Sequence, residues 1–198
     1  MNNLSYGLFV LTANDGKDNG CIINTACQVT SNPNRITVAV NKDNYTCAQI
    51  LKSGVFNLSV LTQSVKFDLF KRFGFSSGKD TNKFADYLAC KRAKNGVLYI
   101  TEGVNTVICA KVITTTDLGT HILFLADVTE ATIISDEPSV TYAYYHANVK
   151  PKPQASAKAQ GDQPIYRCTI CGYEHKGELP DGFLCPLCRH PKEDFVRV

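Results

Sequence analysis

Near its end the chain carries two C-x-x-C pairs, Cys168 with Cys171 and Cys185 with Cys188, separated by thirteen residues. A C-x-x-C turn sets two thiolates side by side, and two such turns facing each other supply four sulfur ligands at the corners of a tetrahedron. Two ions accept that set. Zinc would be a structural staple without redox chemistry, whereas a single iron would exchange one electron. The surrounding stretch of about 35 residues is too short to be held by apolar burial alone, so metal binding must supply most of its folding free energy.

The other five cysteines, Cys21, Cys27, Cys47, Cys90 and Cys109, are scattered through the earlier part of the chain. An odd total of nine, unevenly placed, argues against a disulfide framework, and these five read as small buried hydrophobes. No G-x-G-x-x-G follows a strand pattern, no G-x-x-x-x-G-K-[ST] occurs, and no Ser-His-Asp spacing is present. What remains are polar turns rich in Asn, Thr and Ser. Their hydroxyls and backbone N–H groups suit a phosphate, although ordinary surface loops look the same.

The elements that must position these residues fall into three parts. Residues 148–164 (NVKPKPQASAKAQGDQP) hold three prolines and almost no large apolar side chain, which marks a linker. It divides the chain into a domain at 1–147 and a small one at 165–198. In the first, β-branched and aromatic runs at 5–12, 21–30, 35–40, 54–61, 106–116 and 121–134 read as strands, the last two joined by a hairpin turn at 117–120. Helical spacing occurs at 46–52, with Thr46 as N-cap, and at 64–73 and 82–94. Short strands with a few helical excursions predict a mainly β, closed or nearly closed barrel. No internal repeat is visible.

Composition sets the outer bounds. The 198 residues are 44% hydrophobic with a net charge of +3, which fits a globular chain with a substantial core. That charge is mild and dispersed, so neither nucleic acid nor a membrane surface is an expected partner. The first residues show no basic region followed by a long apolar run, and a cytoplasmic location is expected.

The segment YRCTICGYEHKGELPDGFLCPLC, with Asp194 and Phe195 after it, resembles a rubredoxin domain of the short form that ends rubrerythrins. The resemblance rests on Tyr166, the CTICGY turn, Pro180-Asp181, the CPLC turn and Phe195. It implies iron held by Cys168, Cys171, Cys185 and Cys188, with zinc as the other ion the set admits, and backbone N–H groups aimed at sulfur. Arg189 stands where that family usually has glycine. The chain has no tryptophan, so the aromatic packing must come from Tyr166, Tyr173, Phe183 and Phe195.

The segments SYGLFVLTAND, GCIINTACQVTSNP, VNKDNYTC, FGFSSGKDTNKF and DLGTHILFLADV stand in the order of a flavin reductase-like, FMN-binding split β-barrel, and cover nearly all of residues 1–147. This resemblance implies a homodimer with one FMN per subunit near the dimer interface. It places Gln28, Val29, Thr30 and Ser31 against the flavin ring, where backbone donors meet the charge that develops on reduction. Asn24, Thr25, Lys42, Asn44 and Thr46 match the family's phosphate and ribityl contacts. Ser77, Gly78 and Lys83 are expected to close over the same end, and His121 matches a position near the cofactor. Read by themselves, NKDNY is an ordinary turn, Lys83 a solvated helix-face charge and His121 a satisfied core histidine. Cys47 stands where the family more often has histidine.

Together the two parts resemble the high-molecular-weight rubredoxins of anaerobic bacteria. The resemblance implies an electron carrier between an NAD(P)H-dependent reductase and a flavo-diiron oxygen or nitric oxide reductase. A tether of this kind holds two modules at an effective concentration on the order of millimolar. Two other readings stay open: an NAD(P)H-dependent flavin or ferric reductase that binds nicotinamide directly, and a zinc-stapled binding protein.

Overall fold

The structure, a computed structural model, describes residues 4–151, 164–170, 173–185 and 190–198. Two compact units divide the chain, one ending at Lys150 and the other beginning at Pro151.

The first unit is built on seven antiparallel strands: β1 (Phe9–Asn14), β2 (Asp18–Ile23), β3 (Ala26–Ser31), β4 (Asn34–Asn41), β5 (Val55–Leu61), β8 (Val104–Asp117) and β9 (His121–Ile133). They lie in the order β2-β1-β5-β8-β9-β4-β3, and β6 (Cys90–Arg92) pairs with β7 (Leu98–Ile100) as a separate hairpin. Register follows apolar alternation. Ile36, Val38 and Val40 of β4 face Ala126, Phe124 and Ile122 of β9, and all six are buried. A slip of one residue would turn every one of these side chains out of the core. The long β8–β9 hairpin then splits the sheet. β5 pairs with β8 over 104–111, while β4 pairs with β9 over 121–127, and bulges at Cys109/Ala110 and Val112/Thr114 bend the arms between those stretches. The result is mainly β, a split barrel.

Helix α1 (Tyr45–Ser53) packs Cys47 and Ile50 into the barrel core with Leu11, Phe56 and Phe124. It stops at Gly54, whose φ of 70° is left-handed and whose N–H returns to Ile50 O. Helix α2 (Phe67–Gly74) buries Leu69, Phe70 and Phe73 in a second core with Val104, Val140 and Tyr145. A short helix α3 (Tyr142–Tyr144) continues as a π-helical turn over Tyr145–Val149.

Several expectations are corrected. Residues 21–30 are two strands, because Thr25 breaks the run by donating to Ala39 O and β3 then pairs with β4. The N-cap of α1 is Asn44, and Thr46 lies buried inside the first turn. No helix forms over 82–94. Phe84 and Tyr87 have helical spacing, but they reach Phe73 from turns at ring distances of 5.3 and 5.5 Å, and Cys90–Arg92 is a strand. Asn148 and Val149 belong to the helical turn, with Val149 packed on the second core, so the linker starts later than residue 148. Cys27 is exposed on β3, unlike Cys21, Cys47 and Cys109, which are buried.

The second unit is a small sheet, β11-β10-β12, formed by β10 (Ile165–Cys168), β11 (Glu174–Lys176) and β12 (Phe195–Arg197). Its core is Cys168, Cys185 and Phe195, with Tyr166, Tyr173, Leu179 and Phe183 packed around them.

Candidate functional sites

In the second unit the two cysteine turns are closed by the same device. Cys168 N donates to Tyr173 O at 2.9 Å, and Cys185 N donates to His190 O at 2.8 Å. One residue further out, Arg167 pairs with Glu174 in the sheet and Leu184 bridges to Pro191. The two turns thus share the same flanking pairing, and the first cysteine of each is 1% exposed or less. Two buried thiols in one cluster, rimmed by Tyr166, Tyr173, Phe183 and Phe195, fit a soft thiolate-binding metal in a dry setting. Cys171 and Cys188, the other two expected ligands, lie outside the described residues, as does Arg189.

In the first unit, the expected flavin contacts fall into three groups. The register Asn41↔His121 brings the end of β4 beside the start of β9. There Lys42 N donates to Thr120 O, and Lys42 Nζ meets Asp117 Oδ2 at 2.6 Å. That contact holds the Asp117 carboxyl below its ordinary range. His121 Nδ1 lies 2.8 Å from Thr120 Oγ1 at a part-exposed position, so it is not a core histidine. Asn44 caps α1 without a side-chain bond, and the first turn carries no acidic residue.

The second group gathers around β2. Thr46, 1% exposed, accepts from Asn19 Nδ2 at 3.0 Å. Gly78 O accepts from Lys17 Nζ at 2.7 Å, and a Cβ at Gly78 would fall 2.2 Å from Asn19 Oδ1. Ser77 shapes the same loop, its carbonyl accepting from Thr81 N and its hydroxyl from Lys79 N. Lys83 is not a solvated helix-face charge. It is 3% exposed, and its Nζ donates to Gly20 O at 2.8 Å and Phe73 O at 3.1 Å. Burial pushes this ammonium down to about 8 and the nearby Cys21 thiol up to about 11.

The third group stands apart. Gln28, Val29, Thr30 and Ser31 form an exposed β3–β4 hairpin closed within itself: Gln28 Nε2 donates to Asn34 Oδ1 at 3.0 Å, and Thr30 Oγ1 donates to Pro33 O. Asn24 and Thr25 lead into it. Sequence reasoning missed Asn19, Lys17 and Asp117. The available signal was a carboxamide inside a strand whose following residues are Gly, Cys and two Ile.

The arrangement at α1 fits a phosphate end. The first N–H groups of a helix lack acceptors one turn back; Asn44 O takes that of Cys47, the Asn44 side chain caps none, and Lys42 stands just before them. Gly78 lets its loop close directly on the Asn19 carboxamide, which a Cβ would displace, and Asn19 Oδ1 is buried without a partner among the described residues. A groove of about 670 Å³ lies elsewhere, between Leu69, Arg72, Tyr87, Glu102 and Glu137. None of the expected contacts lines it.

The profile of the family described as "Flavin reductase like domain" matches residues 1–152, and that of "Rubrerythrin, rubredoxin-like domain" matches 166–196. A high molecular weight rubredoxin of Moorella thermoacetica is 33% identical over 225 aligned positions, spanning 100% of this chain and 98% of its own length. A ferric-chelate reductase (NAD(P)H) of Archaeoglobus fulgidus is 38% identical over 155 residues, 78% of this chain and 91% of its own. Among solved structures, the NADH:FAD oxidoreductase of Streptomyces globisporus C-1027 has a TM-score of 0.65 at 20% identity, covering 70% of this chain and 82% of its own. An FMN-binding protein from Thermus thermophilus has a TM-score of 0.60 at 19% identity, over 66% and 71%. These two share the fold.

Proposed function

We propose, for a chain that belongs to the flavin reductase-like family and carries a rubredoxin-like domain behind it in the manner of the high-molecular-weight rubredoxins, the role of electron carrier between FMN and a tetrathiolate iron. The observation that carries this reading is the match to such a relative along the whole chain. The donor is an NAD(P)H-dependent reductase and the acceptor a flavo-diiron protein. Neither partner follows from geometry; both come from the resemblance.

When bound, FMN supplies a centre that takes two electrons and releases them singly, and iron supplies a one-electron centre. The chain's own residues do the holding. The open N–H groups at the first turn of α1 and the Lys42 ammonium take the phosphate, with Asp117 as the counter-charge that Lys42 leaves. Backbone donors of the Gln28–Ser31 hairpin and the His121 ring face the flavin. Cys168, Cys171, Cys185 and Cys188 hold the iron, and the aromatic rim around Cys168 and Cys185 keeps water from the sulfurs.

A homodimer accounts for the open character of this site. Val29 on β3, Ile113 on the outer half of β8 and Leu118 in the turn after it are 47, 45 and 55% exposed, apolar surface that a second copy would cover. A cytoplasmic location agrees with the reducing setting that thiolate ligands need, and no described helix is long and apolar enough to cross a membrane.

The test is the absorption spectrum and metal content of protein purified without added cofactors. Oxidised-flavin bands together with iron–thiolate absorption, both bleaching on reduction, are expected; a colourless zinc protein would refute the carrier. The ferric-chelate reductase match favours a second reading, direct reduction by NAD(P)H. Flavin bleaching by NADH within the dead time to seconds of a stopped-flow mixer supports that enzyme, and its absence supports the carrier.

A further inference from the structure

Asn19 lies inside β2 with 2% of its surface exposed. It is followed at the next two inward positions by Cys21 and Ile23, both buried and apolar. A leucine would fill much the same space without a polar group to satisfy, so a carboxamide here is there for its directional bonds. In one of these, Nδ2 donates to Thr46 Oγ1 at 3.0 Å, in the first turn of α1. The opposite side of the carboxamide lies against Gly78, where an added Cβ would sit 2.2 to 2.5 Å from all three terminal atoms.

The rest of β2 grips the same loop. Lys17 Nζ holds Gly78 O at 2.7 Å, and Lys83 Nζ reaches back to Gly20 O at 2.8 Å. Asn19 therefore touches both segments assigned above to the phosphate end, the first turn of α1 and the loop at Gly78. Its unpartnered Oδ1 can accept a hydrogen bond but cannot make one to a phosphate dianion, which has no proton to give. With Nδ2 turned to Thr46 and the other side of the carboxamide closed by Gly78, Asn19 acts on the phosphate through Thr46 and the helix N–H groups.

We propose that Asn19 is the positioning residue of the flavin site, fixing the first turn of α1 against the Gly78 loop so that the helix N–H groups converge on the phosphate. The inference rests on the flavin reading above. Its test is titration of the full chain, stripped of flavin, with FMN and with riboflavin, which lacks the phosphate. In Asn19→Ala, FMN affinity falls about tenfold, the loss of one directional bond, while riboflavin affinity stays within about twofold. Equal losses for the two flavins, or no loss for either, would overturn it. The double variant Asn19→Ala/Gly78→Ala fills the vacated space with the new Cβ, so melting temperature recovers over the single variant while FMN affinity stays low. Recovered FMN affinity in that variant would show that Asn19 only fills space. If unmodified protein binds FMN no more tightly than riboflavin, the flavin reading fails first and this inference with it.

Discussion

Lys83 joins β2 to the end of α2 through Gly20 O and Phe73 O, and its burial makes the first unit's stability depend on pH in a specified direction. Burial lowers the ammonium from 10.5 to about 8, with Cys21 opposing. Between those two values the unfolded chain holds a proton that the folded chain has lost, so stability rises with pH. Applied to that pair of values, linkage gives a gain on the order of 1 kcal/mol from pH 7 to pH 9. Cys21 works against it. Burial raises its thiol from 9.0 to about 11, the folded state keeps a proton that the unfolded state loses, and stability falls by a fraction of that gain over the same interval. The unmodified chain should therefore gain stability as pH rises, and Lys83→Met, which keeps the stem but cannot titrate, should lose a little. The other buried thiols contribute equally to both proteins and cancel. Urea unfolding of the full chain, followed by circular dichroism of the sheet, reads the difference as a divergence of midpoints of about 0.5 M for an m-value of about 2 kcal/mol/M. Parallel midpoints at pH 7, 8 and 9 would refute the reasoning, because a lysine that titrates alike in both states cannot be clasped as described.

Other outcomes follow from the remaining sites. Cys185→Ser should abolish iron–thiolate absorption and make residues 165–198 protease-sensitive while the first unit stays resistant, since metal binding on the order of 10 kcal/mol replaces an apolar core there; a folded variant domain seen by NMR would contradict this. Lys42→Ala should weaken FMN binding about tenfold at low salt and less at high salt, and Asp117→Ala should strengthen it by about threefold by releasing Lys42; fluorescence titration at two ionic strengths checks both signs. Phe73→Ala should destabilise the first unit by about 4 kcal/mol, because the ring is 1% exposed and packs on Phe84 and Tyr87; a urea midpoint near that of the unmodified chain would show that those aromatics do not form one core.

Local pattern was a good guide wherever local pattern is what sets the structure. The alternation in RITVAV fixes β4 because one face must be buried, and the paired C-x-x-C turns mark a metal site because their spacing is the ligand geometry. Turns were also readable: 117–120 does join β8 to β9. The failures have a common cause. Residues 82–94 have helical apolar spacing, yet Phe84 and Tyr87 find their partner in Phe73 of α2, which a helix there is not needed to reach. The break at Thr25 depends on Ala39, fourteen residues away, and Cys27 looks like any small apolar residue until β3 proves to be the exposed edge of the sheet.

Lys83 shows how this distinction bears on function. From sequence it had two readings, a cation over a phosphate or a solvated charge, and both keep the ammonium near water. In the fold it is bound to carbonyls of Gly20 and Phe73, residues 63 and 10 positions away, and no window of sequence contains that pair of partners. The consequence is a change of role. A lysine whose donors are committed to backbone carbonyls ties β2 to the end of α2, and in the proposed flavin site the charge that meets the phosphate is then that of Lys42. The two proposed sites of this chain are thus of different kinds: a ligand set written in paired cysteines, and a cofactor cradle whose walls would come from β2, α1 and the loop at Gly78, brought together by buried polar side chains that carry no motif.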